Sequence, residues 1–203
     1  MAGVILVENY KNKFGKQDYA IILFKNIYKN VYEDPGGHLM PKKTIEESAM
    51  TELIEESCNT FRINPKYLIN HIVSNNYHSF LLYIKGPIYS KYYNHNKILI
   101  HNNKTTPYQY KETNNIRRFY ISDLLNCGLM INKGDLVCND SNGYIRKISG
   151  RTKSVIRSFI GNKFITFNNN KVEINVNPIQ LKINNNFTSK TKPFLNGTIS
   201  YYI

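Results

Sequence analysis

The protein has 203 residues, of which 41% are hydrophobic, and its 27 Lys or Arg against 14 Asp or Glu give a formal net charge of +13. This length and apolar content indicate a globular protein with a core of its own. No run approaches the ~18 apolar residues that cross a bilayer, and the N-terminal segment reaches Glu8 too early for a secretory signal. We therefore expect a cytoplasmic protein with no membrane association.

Short runs of β-branched, aromatic and aliphatic residues predict strands in the first two thirds of the chain. These runs are Gly3 to Val7, Tyr19 to Phe24, His71 to Val73, Ser79 to Ile84 and Ile116 to Ile121. A helix is predicted between the second and third runs, because Thr44 and Glu47 have the spacing of a capping box and apolar residues then recur on one helical face. Strands on both sides of a central helix predict an α/β sandwich with a mixed sheet.

Two hairpins and a basic helix are predicted downstream. The first hairpin, Asp135 to Ile148, turns at Asn142-Gly143, and the second, Lys163 to Val176, turns at Asn168 to Asn170. Between them we expect a helix that is capped by Thr152 and ends at Gly161. After Pro178 the sequence is rich in Asn, Thr and Lys and shows no independent fold. We expect a domain at residues 1–160 and a C-terminal extension at 161–203, packed on it or partly flexible.

The acidic residues are concentrated in one segment, since seven of the 14 lie between Glu33 and Glu56. On a helix, Glu52 lies one turn from Glu55 and Glu56, and like charges at this spacing repel by ~0.2–0.5 kcal/mol per pair. A hard divalent cation such as Mg²⁺ or Mn²⁺ would offset the repulsion. The alternative is an ordinary solvated helix face.

The segment before this helix contains Gly36 and Gly37, which allow the backbone to approach carboxylates closely. With the helix, it resembles the Nudix box of the Nudix hydrolase family, G-x5-E-x7-R-E-U-x-E-E-x-G-U, where U is a bulky aliphatic residue. With Gly37 at the first glycine, the matching positions are Gly37, Glu52, Leu53, Glu55 and Glu56. The departures are Lys43 for the first acid, Thr51 for the arginine, Cys58 for the second glycine and Asn59 for the last aliphatic residue.

The resemblance implies a Nudix-like α/β/α sandwich that hydrolyses a phosphoanhydride in a nucleoside diphosphate linked to another moiety. It implies Mg²⁺ or Mn²⁺ held by Glu52, Glu55 and Glu56. Many Nudix domains carry a further glutamate in a loop before a late strand, so the resemblance implies a catalytic base among Glu52, Glu55 and Glu112. Candidate substrate-binding residues are Gly36, Gly37, His38 and Lys43. Lys43 would either repel a second cation or contact a substrate phosphate.

The basic surface suggests nucleic acid as a partner, although an AT-rich genome would also raise the lysine content. Candidate RNA-binding residues are Arg117, Arg118, Arg151, Lys153 and Arg157, which we expect on the surface. Tyrosines at 89, 92, 93, 108 and 110 would either stack on bases or pack inside the protein.

Three functions follow as alternatives. The first is a hydrolase of the mRNA-decapping type that acts on the 5′ cap of RNA, in a virus or parasite with an AT-rich genome, located in the host cytoplasm or the virion. The second is a Nudix enzyme acting on small free nucleotides. The third is a catalytically decayed RNA-binding module, which the changes at Lys43 and Thr51 suggest. The sequence leaves the oligomeric state open.

Overall fold

A computed structural model of the protein describes residues 1–131, 134–168 and 171–203. The strands are β1 (Ala2–Lys11), β2 (Gln17–Asn26), β3 (Val31–Glu33), β4 (Gly36–Gly37), β5 (Phe61–Arg62), β6 (His71–Ser74), β7 (Tyr77–Lys85), β8 (Thr113–Tyr120), β9 (Leu136–Asn139), β10 (Ile145–Ile148), β11 (Ile165–Asn168), β12 (Lys171–Ile174), β13 (Ile179–Gln180), β14 (Lys182–Asn184) and β15 (Ser200–Tyr202). The α-helices are α1 (Ile45–Glu56), α2 (Ser90–Asn102), α3 (Ile121–Asn126) and α4 (Gly150–Gly161). Short 3₁₀ helices lie at Pro65–Tyr67, Tyr108–Lys111 and Pro193–Leu195.

A mixed sheet forms the centre of the molecule. Strand β1 runs parallel to β7 and antiparallel to β2. Strand β2 in turn pairs antiparallel with β3 and β8. The short strand β4 places Gly36 opposite Gly3 and Gly37 opposite Ala2 at the start of β1. The glycine segment is therefore attached directly to the central strand.

Helices cover both faces of this sheet. Along β1, Val4 and Leu6 belong to one core together with residues of α1 and α2. Their neighbours Ile5 and Val7 belong to a second core with residues of α3 and α4. Because both faces are covered, β1 is an almost continuous apolar run rather than an alternating one. The observed α/β/α sandwich with a mixed sheet confirms the predicted fold class.

The five predicted strands and the capped helix are also observed. The Thr44 hydroxyl accepts a hydrogen bond from the Glu47 amide (3.1 Å), and the Glu47 carboxylate accepts one from the Thr44 amide (2.8 Å). Ile121, expected at the end of a strand, is instead the first residue of α3. The sequence does not predict α2, because no side chain caps its first turn and its tyrosines are more typical of strands.

The basic helix differs from its prediction at its start. Its N-cap is Ser149, whose hydroxyl accepts a hydrogen bond from the Thr152 amide (3.2 Å). Thr152 is therefore a buried residue of the first turn and not the cap. The predicted end at Gly161 is confirmed. None of the helices in the described part of the chain has the length and apolar character needed to span a bilayer.

Both predicted hairpins are observed. Strands β9 and β10 pair antiparallel, and Gly143 in their turn has a positive φ of 85°. Strands β11 and β12 also pair antiparallel. Two residues of their predicted turn, Asn169 and Asn170, lie outside the described residues.

The C-terminal segment contacts the rest of the protein through its last strand. β15 pairs parallel with β5 and antiparallel with β14. Tyr201 is only 3% exposed, stacks on Phe61 with ring centres 5.6 Å apart, and accepts a hydrogen bond from the Tyr89 amide (2.6 Å). The division into residues 1–160 and 161–203 stays a prediction.

We expect Tyr201→Ala to lower the free energy of unfolding by about 3–5 kcal/mol, because it empties a buried aromatic position. Tyr202→Ala is a matched control on the same strand, since Tyr202 is 39% exposed. Urea unfolding followed by circular dichroism measures both changes. Equal effects of the two substitutions would show that the last strand is not part of the cooperatively folded core.

Candidate functional site

A cavity of about 410 Å³ lies between α1, the segment after β4 and the 3₁₀ helix that precedes β8. Its lining residues are Gly36, Gly37, His38, Leu39, Met40, Pro41, Glu52, Glu55, Glu56, Tyr108, Gln109 and Glu112. The structure thus brings all four predicted glutamates together with the predicted glycines and histidine. We refer to this space as the carboxylate cavity.

The glycine segment allows α1 to approach the sheet closely. A Cβ atom on Gly37 would lie 2.4 Å from an oxygen of the Glu52 carboxylate, and one on Gly36 would lie 1.9 Å from the Tyr77 hydroxyl. Gly36 needs to be glycine, because its Cβ would also lie 2.8 Å from the Ala2 carbonyl oxygen, whereas at Gly37 the close atoms belong to the Glu52 side chain. Gly37 therefore forms the floor on which the Glu52 side chain lies.

Glu56 links α1 to this floor. Its side chain is 7% exposed, and its Oε1 accepts a hydrogen bond from the Gly36 amide (3.1 Å). Burial raises the pKa of Glu56 well above its usual range, although the charge of Arg151 and the Gly36 hydrogen bond oppose the rise. Of the described carboxylates in the cavity, this one is bound most closely to the backbone.

The other three carboxylates are half-buried and act on one another. Burial, followed by the charges of Glu55 and Glu112, raises the pKa of Glu52 to about 7. Burial also raises the pKa of Glu55, against the opposing charges of Lys192 and Lys43. The four carboxylates therefore form a site that disfavours its own negative charge, which is the electrostatic setting that attracts a cation.

The carboxylates do not form a ready-made metal site. Among the described residues, no three His, Cys, Asp or Glu side chains are grouped so that they could hold a metal ion. The carboxylates are not grouped because two of them make other contacts: Glu56 is turned to the Gly36 amide, and Glu52 lies over Gly37. The donors fit Mg²⁺ or Mn²⁺ by chemistry, since all are carboxylate oxygens. Joint binding by Glu52, Glu55 and Glu56 stays a prediction.

Behind the cavity, Asp34 anchors the glycine segment. Its fully buried carboxylate accepts hydrogen bonds from the Tyr77 hydroxyl (2.6 Å) and the Thr152 hydroxyl (2.5 Å). Arg151 donates to the backbone oxygens of Asp34 (2.6 Å) and Gly36 (3.1 Å). Burial alone would lower the pKa of Arg151, but the charges of Asp34 and neighbouring acids raise it.

Three of the predicted RNA-binding residues, Arg118, Arg151 and Lys153, are buried or held by other parts of the protein. Arg151 is engaged with the glycine segment, as described above. Arg118 is bonded to the buried Glu8 carboxylate and to the Ile88 carbonyl oxygen. Lys153 is buried. The expectation that Lys153 lies on the surface is therefore wrong, whereas Arg118 and Arg151 are partly exposed but held by residues distant in sequence.

The two remaining candidate RNA-binding residues, Arg117 and Arg157, differ in their exposure. Arg117 is half-buried, and its Nε lies 3.3 Å from the Asp140 carboxylate. Arg157 is exposed on α4, as expected. Neither lines the carboxylate cavity. Their binding to RNA stays a prediction.

Lys43 lies outside the carboxylate cavity but close to it. Its Nζ donates a hydrogen bond to the Thr51 hydroxyl (2.8 Å), so two of the four residues that depart from the Nudix box contact each other. The Thr51 hydroxyl in turn donates to the Glu47 carbonyl oxygen (2.8 Å). His38 is exposed at the cavity wall.

Sequence reasoning missed the anchoring role of Asp34, Tyr77 and Arg151. The Asp-Pro pair before the glycines marks a turn. Nothing local indicates that Asp34 would be hydrogen-bonded to Tyr77 and Thr152, which lie 43 and 118 positions further along the chain. The tyrosines divide as follows. Tyr93 and Tyr110 pack inside the protein, whereas Tyr108 is 64% exposed at the cavity wall.

Comparisons with known proteins add a likeness of fold. No family model matches the sequence, and no curated protein matches it. A search of solved structures finds similarity to a MutT/nudix family protein from Enterococcus faecalis, with 12% sequence identity and a TM-score of 0.43. The match covers 80% of this chain and 61% of that chain, so the protein spans less than two thirds of its neighbour's length.

We expect Arg151→Met to lower the free energy of unfolding by at least about 2 kcal/mol, because it removes the cation beside the buried Asp34 carboxylate and the donor to the backbone oxygens of Asp34 and Gly36. Arg157→Met is the matched control on the exposed face of the same helix, with an expected effect within about 0.5 kcal/mol. Thermal and urea unfolding measure both. An Arg151→Met protein as stable as the control would contradict the anchoring role.

The raised pKa of Glu52 predicts a pH-dependent stability of the metal-free protein. Its folded-state pKa of about 7 exceeds the unfolded value of 4.5, so the folded state binds more protons between these pH values and unfolding becomes easier as the pH rises through this window. Glu52→Gln removes this effect. The measured quantity is the melting temperature of Glu52→Gln minus that of the unsubstituted protein, in the presence of a chelator. We expect this difference to increase from about pH 5 to about pH 8.

Glu173→Gln, which removes a carboxylate outside the cavity, is the control for this measurement. Its melting temperature relative to the unsubstituted protein should stay constant over the same pH range. A Glu52→Gln difference that also stays constant would show that Glu52 titrates as an ordinary solvated carboxylate.

Proposed function

We propose that the protein is a divalent-cation-dependent hydrolase that cleaves a phosphoanhydride in a nucleoside diphosphate linked to another moiety. One observation carries this proposal: Glu52, Glu55, Glu56 and Glu112 meet in one cavity with the glycine backbone. A phosphoanhydride brings negative charge, and a site of four carboxylates accepts it only with a cation between them. The resemblance of this segment to the Nudix box supports the same reaction.

The cation would be Mg²⁺ or Mn²⁺, held by oxygens of Glu52, Glu55 and Glu56, and when bound it supplies charge neutralisation and polarisation of the phosphoanhydride. Glu56 would contribute while its Oε1 keeps the Gly36 amide, because a carboxylate has lone pairs on both oxygens.

Glu52 is suited to accept the proton of the attacking water. A general base is most effective when its pKa lies near the working pH; the pKa of Glu52 is about 7 in the metal-free folded protein, and a cation bound at its carboxylate would lower it. Glu55 and Glu112 are the alternatives, since burial raises the pKa of each of them as well. At the cavity wall, His38 would contact the substrate, and Lys43 would contact a phosphate from outside.

The more specific form of the proposal names the 5′ cap of RNA as the substrate, with the protein acting in the cytoplasm. Two observations support RNA as the substrate. The net charge of +13 attracts a polyanion, and Tyr108 is an exposed ring at the cavity wall on which a base can stack.

A second function is favoured by a different observation. The glutamates are not grouped as a metal site in the described residues, and Lys43 replaces an acid of the Nudix box. Both would suit an RNA-binding module without catalytic activity. Such a module would bind RNA equally well after replacement of the glutamates.

Hydrolysis assays separate these functions. The protein is incubated with cap-labelled RNA and with a panel of nucleoside diphosphate derivatives and dinucleoside polyphosphates, with Mg²⁺, with Mn²⁺ and with a chelator. We expect cation-dependent release of a nucleoside diphosphate, reduced by at least about 100-fold in Glu52→Gln and Glu55→Gln. Glu173→Gln should leave the rate unchanged.

Three other outcomes of these assays would favour a different function or a different active site. Hydrolysis confined to small nucleotides rejects the cap as the substrate and keeps the reaction. RNA binding without any product, unchanged in Glu55→Gln, rejects the enzyme in favour of the binding module. Full activity in both glutamine variants would reject the carboxylate cavity as the active site.

A further inference from the structure

A second concave surface lies on the other side of α1 from the carboxylate cavity. It is an open groove of about 540 Å³, and the lining residues that matter here are Lys42, Lys43, Met50, Ile54, Arg62 and Ile63. We call it the α1 groove. Its volume is within the range of small-molecule sites, roughly 300–1,000 Å³. One wall is apolar and the other is cationic, which is the pattern that suits a nucleotide.

The cations of the groove have no carboxylate partners. Within the described residues, Lys42, Lys43 and Arg62 take part in none of the observed salt bridges. Glu47, the acid that also lines the groove, accepts a hydrogen bond from the Thr44 amide in the capping box (2.8 Å). The positive charge of the groove is thus left for a ligand from outside.

Arg62 is fixed in place rather than mobile. Its Nε donates to the Asn59 side chain, and its guanidinium carbon lies 4.0 Å from the centre of the Phe187 ring. Burial lowers the pKa of Arg62, as expected for a cation that is partly withdrawn from water without a counter-ion. A positioned guanidinium recognises phosphate with less loss of side-chain entropy than a mobile one.

Lys42 occupies an unusual backbone position at the entrance. The Lys43 amide donates to the Met40 carbonyl oxygen (3.2 Å) and closes a turn in which Lys42 has a φ of +65°. This third turn position favours glycine, and a side chain there carries some strain. The turn also contributes Met40 and Pro41 to the carboxylate cavity and Lys42 and Lys43 to the α1 groove, so it borders both spaces.

We propose that the α1 groove binds a phosphate-bearing nucleoside unit of the substrate, the one that lies beyond the phosphoanhydride, and that Lys42, Lys43 and Arg62 contact its phosphate. This inference rests on the proposed function. It narrows the substrate class to phosphoanhydrides joined to a further nucleotide, whether at the 5′ end of an RNA or in a dinucleoside polyphosphate. Met50, Ile54 and Ile63 would contact the base or the ribose.

The test uses a probe that contains no phosphoanhydride. A 5′-phosphorylated diadenylate with a fluorophore on its 3′ end is titrated against the protein in a chelator, and binding is followed by fluorescence anisotropy. Lys42→Gly removes a charge while giving the turn the residue that its backbone favours, so it should fold normally. Arg62→Gln is the second variant.

Lys163→Gly is the matched control. Lys163 is also an exposed lysine with a positive φ (61°), at the end of α4, and its replacement changes the net charge equally. We expect Lys42→Gly and Arg62→Gln to weaken binding by about 5- to 10-fold each and Lys163→Gly to leave it unchanged. The dependence of log Kd on log salt should fall by about one unit of slope in Lys42→Gly.

Competition experiments distinguish an RNA ligand from a small nucleotide ligand. Competition by 5′-phosphorylated RNA that strengthens with chain length indicates RNA, and equal competition by a dinucleoside polyphosphate indicates the small nucleotide. Equal binding by Lys42→Gly and Lys163→Gly would overturn the inference. A protein that binds the probe through Lys42 but hydrolyses no phosphoanhydride refutes the proposed function alone, whereas hydrolysis with unchanged binding and KM in Lys42→Gly refutes the groove alone.

Discussion

The buried carboxylate of Asp34 is the constraint on which the rest of the site depends. A charge that is withdrawn from water must be satisfied by hydrogen bonds, and Tyr77 from β7 and Thr152 from α4 both donate to it. These bonds fix the turn between β3 and β4 against the sheet and α4. Gly36 follows two residues later, and its amide holds Glu56 of α1. The position of α1 thus depends on a polar network on the opposite side of the cavity.

This rigid frame explains how the protein tolerates a cluster of carboxylates. Burial and mutual repulsion raise the pKa values of Glu52 and Glu55, so the cluster opposes folding at neutral pH. Contacts elsewhere must supply the stability that the cluster removes. Arrangements that break a local rule while the surroundings hold them in place are concentrated at functional sites. The glutamates fit this pattern, because no structural role requires more than Glu56 among them.

The sequence predicted the parts of the site that local rules determine. The capping box at Thr44 and Glu47 and the apolar face of α1 depend on residues within one or two turns, so α1 and the shared face of its glutamates could be located. The role of Arg151 could not be predicted, because its partner oxygen on Asp34 is 117 positions away. An arginine on a basic helix looks solvated until the tertiary structure places it beside a buried acid. The N-cap of α4 was also missed, because Ser149 and Thr152 are both good capping residues.

The contact between Lys43 and Thr51 shows how the departures from the Nudix box can be accommodated together. In the box these positions hold an acid and an arginine, whose opposite charges suit a pair. Here a hydrogen bond of 2.8 Å joins the two side chains, so the loop before α1 is still tied to the helix. The reversal of charge has a further consequence, because the cation now lies on the loop side and opposes the rise in the pKa values of Glu52 and Glu55. An arginine at position 51 would place a second positive charge beside Lys43, so threonine is the residue that suits a lysine at this contact.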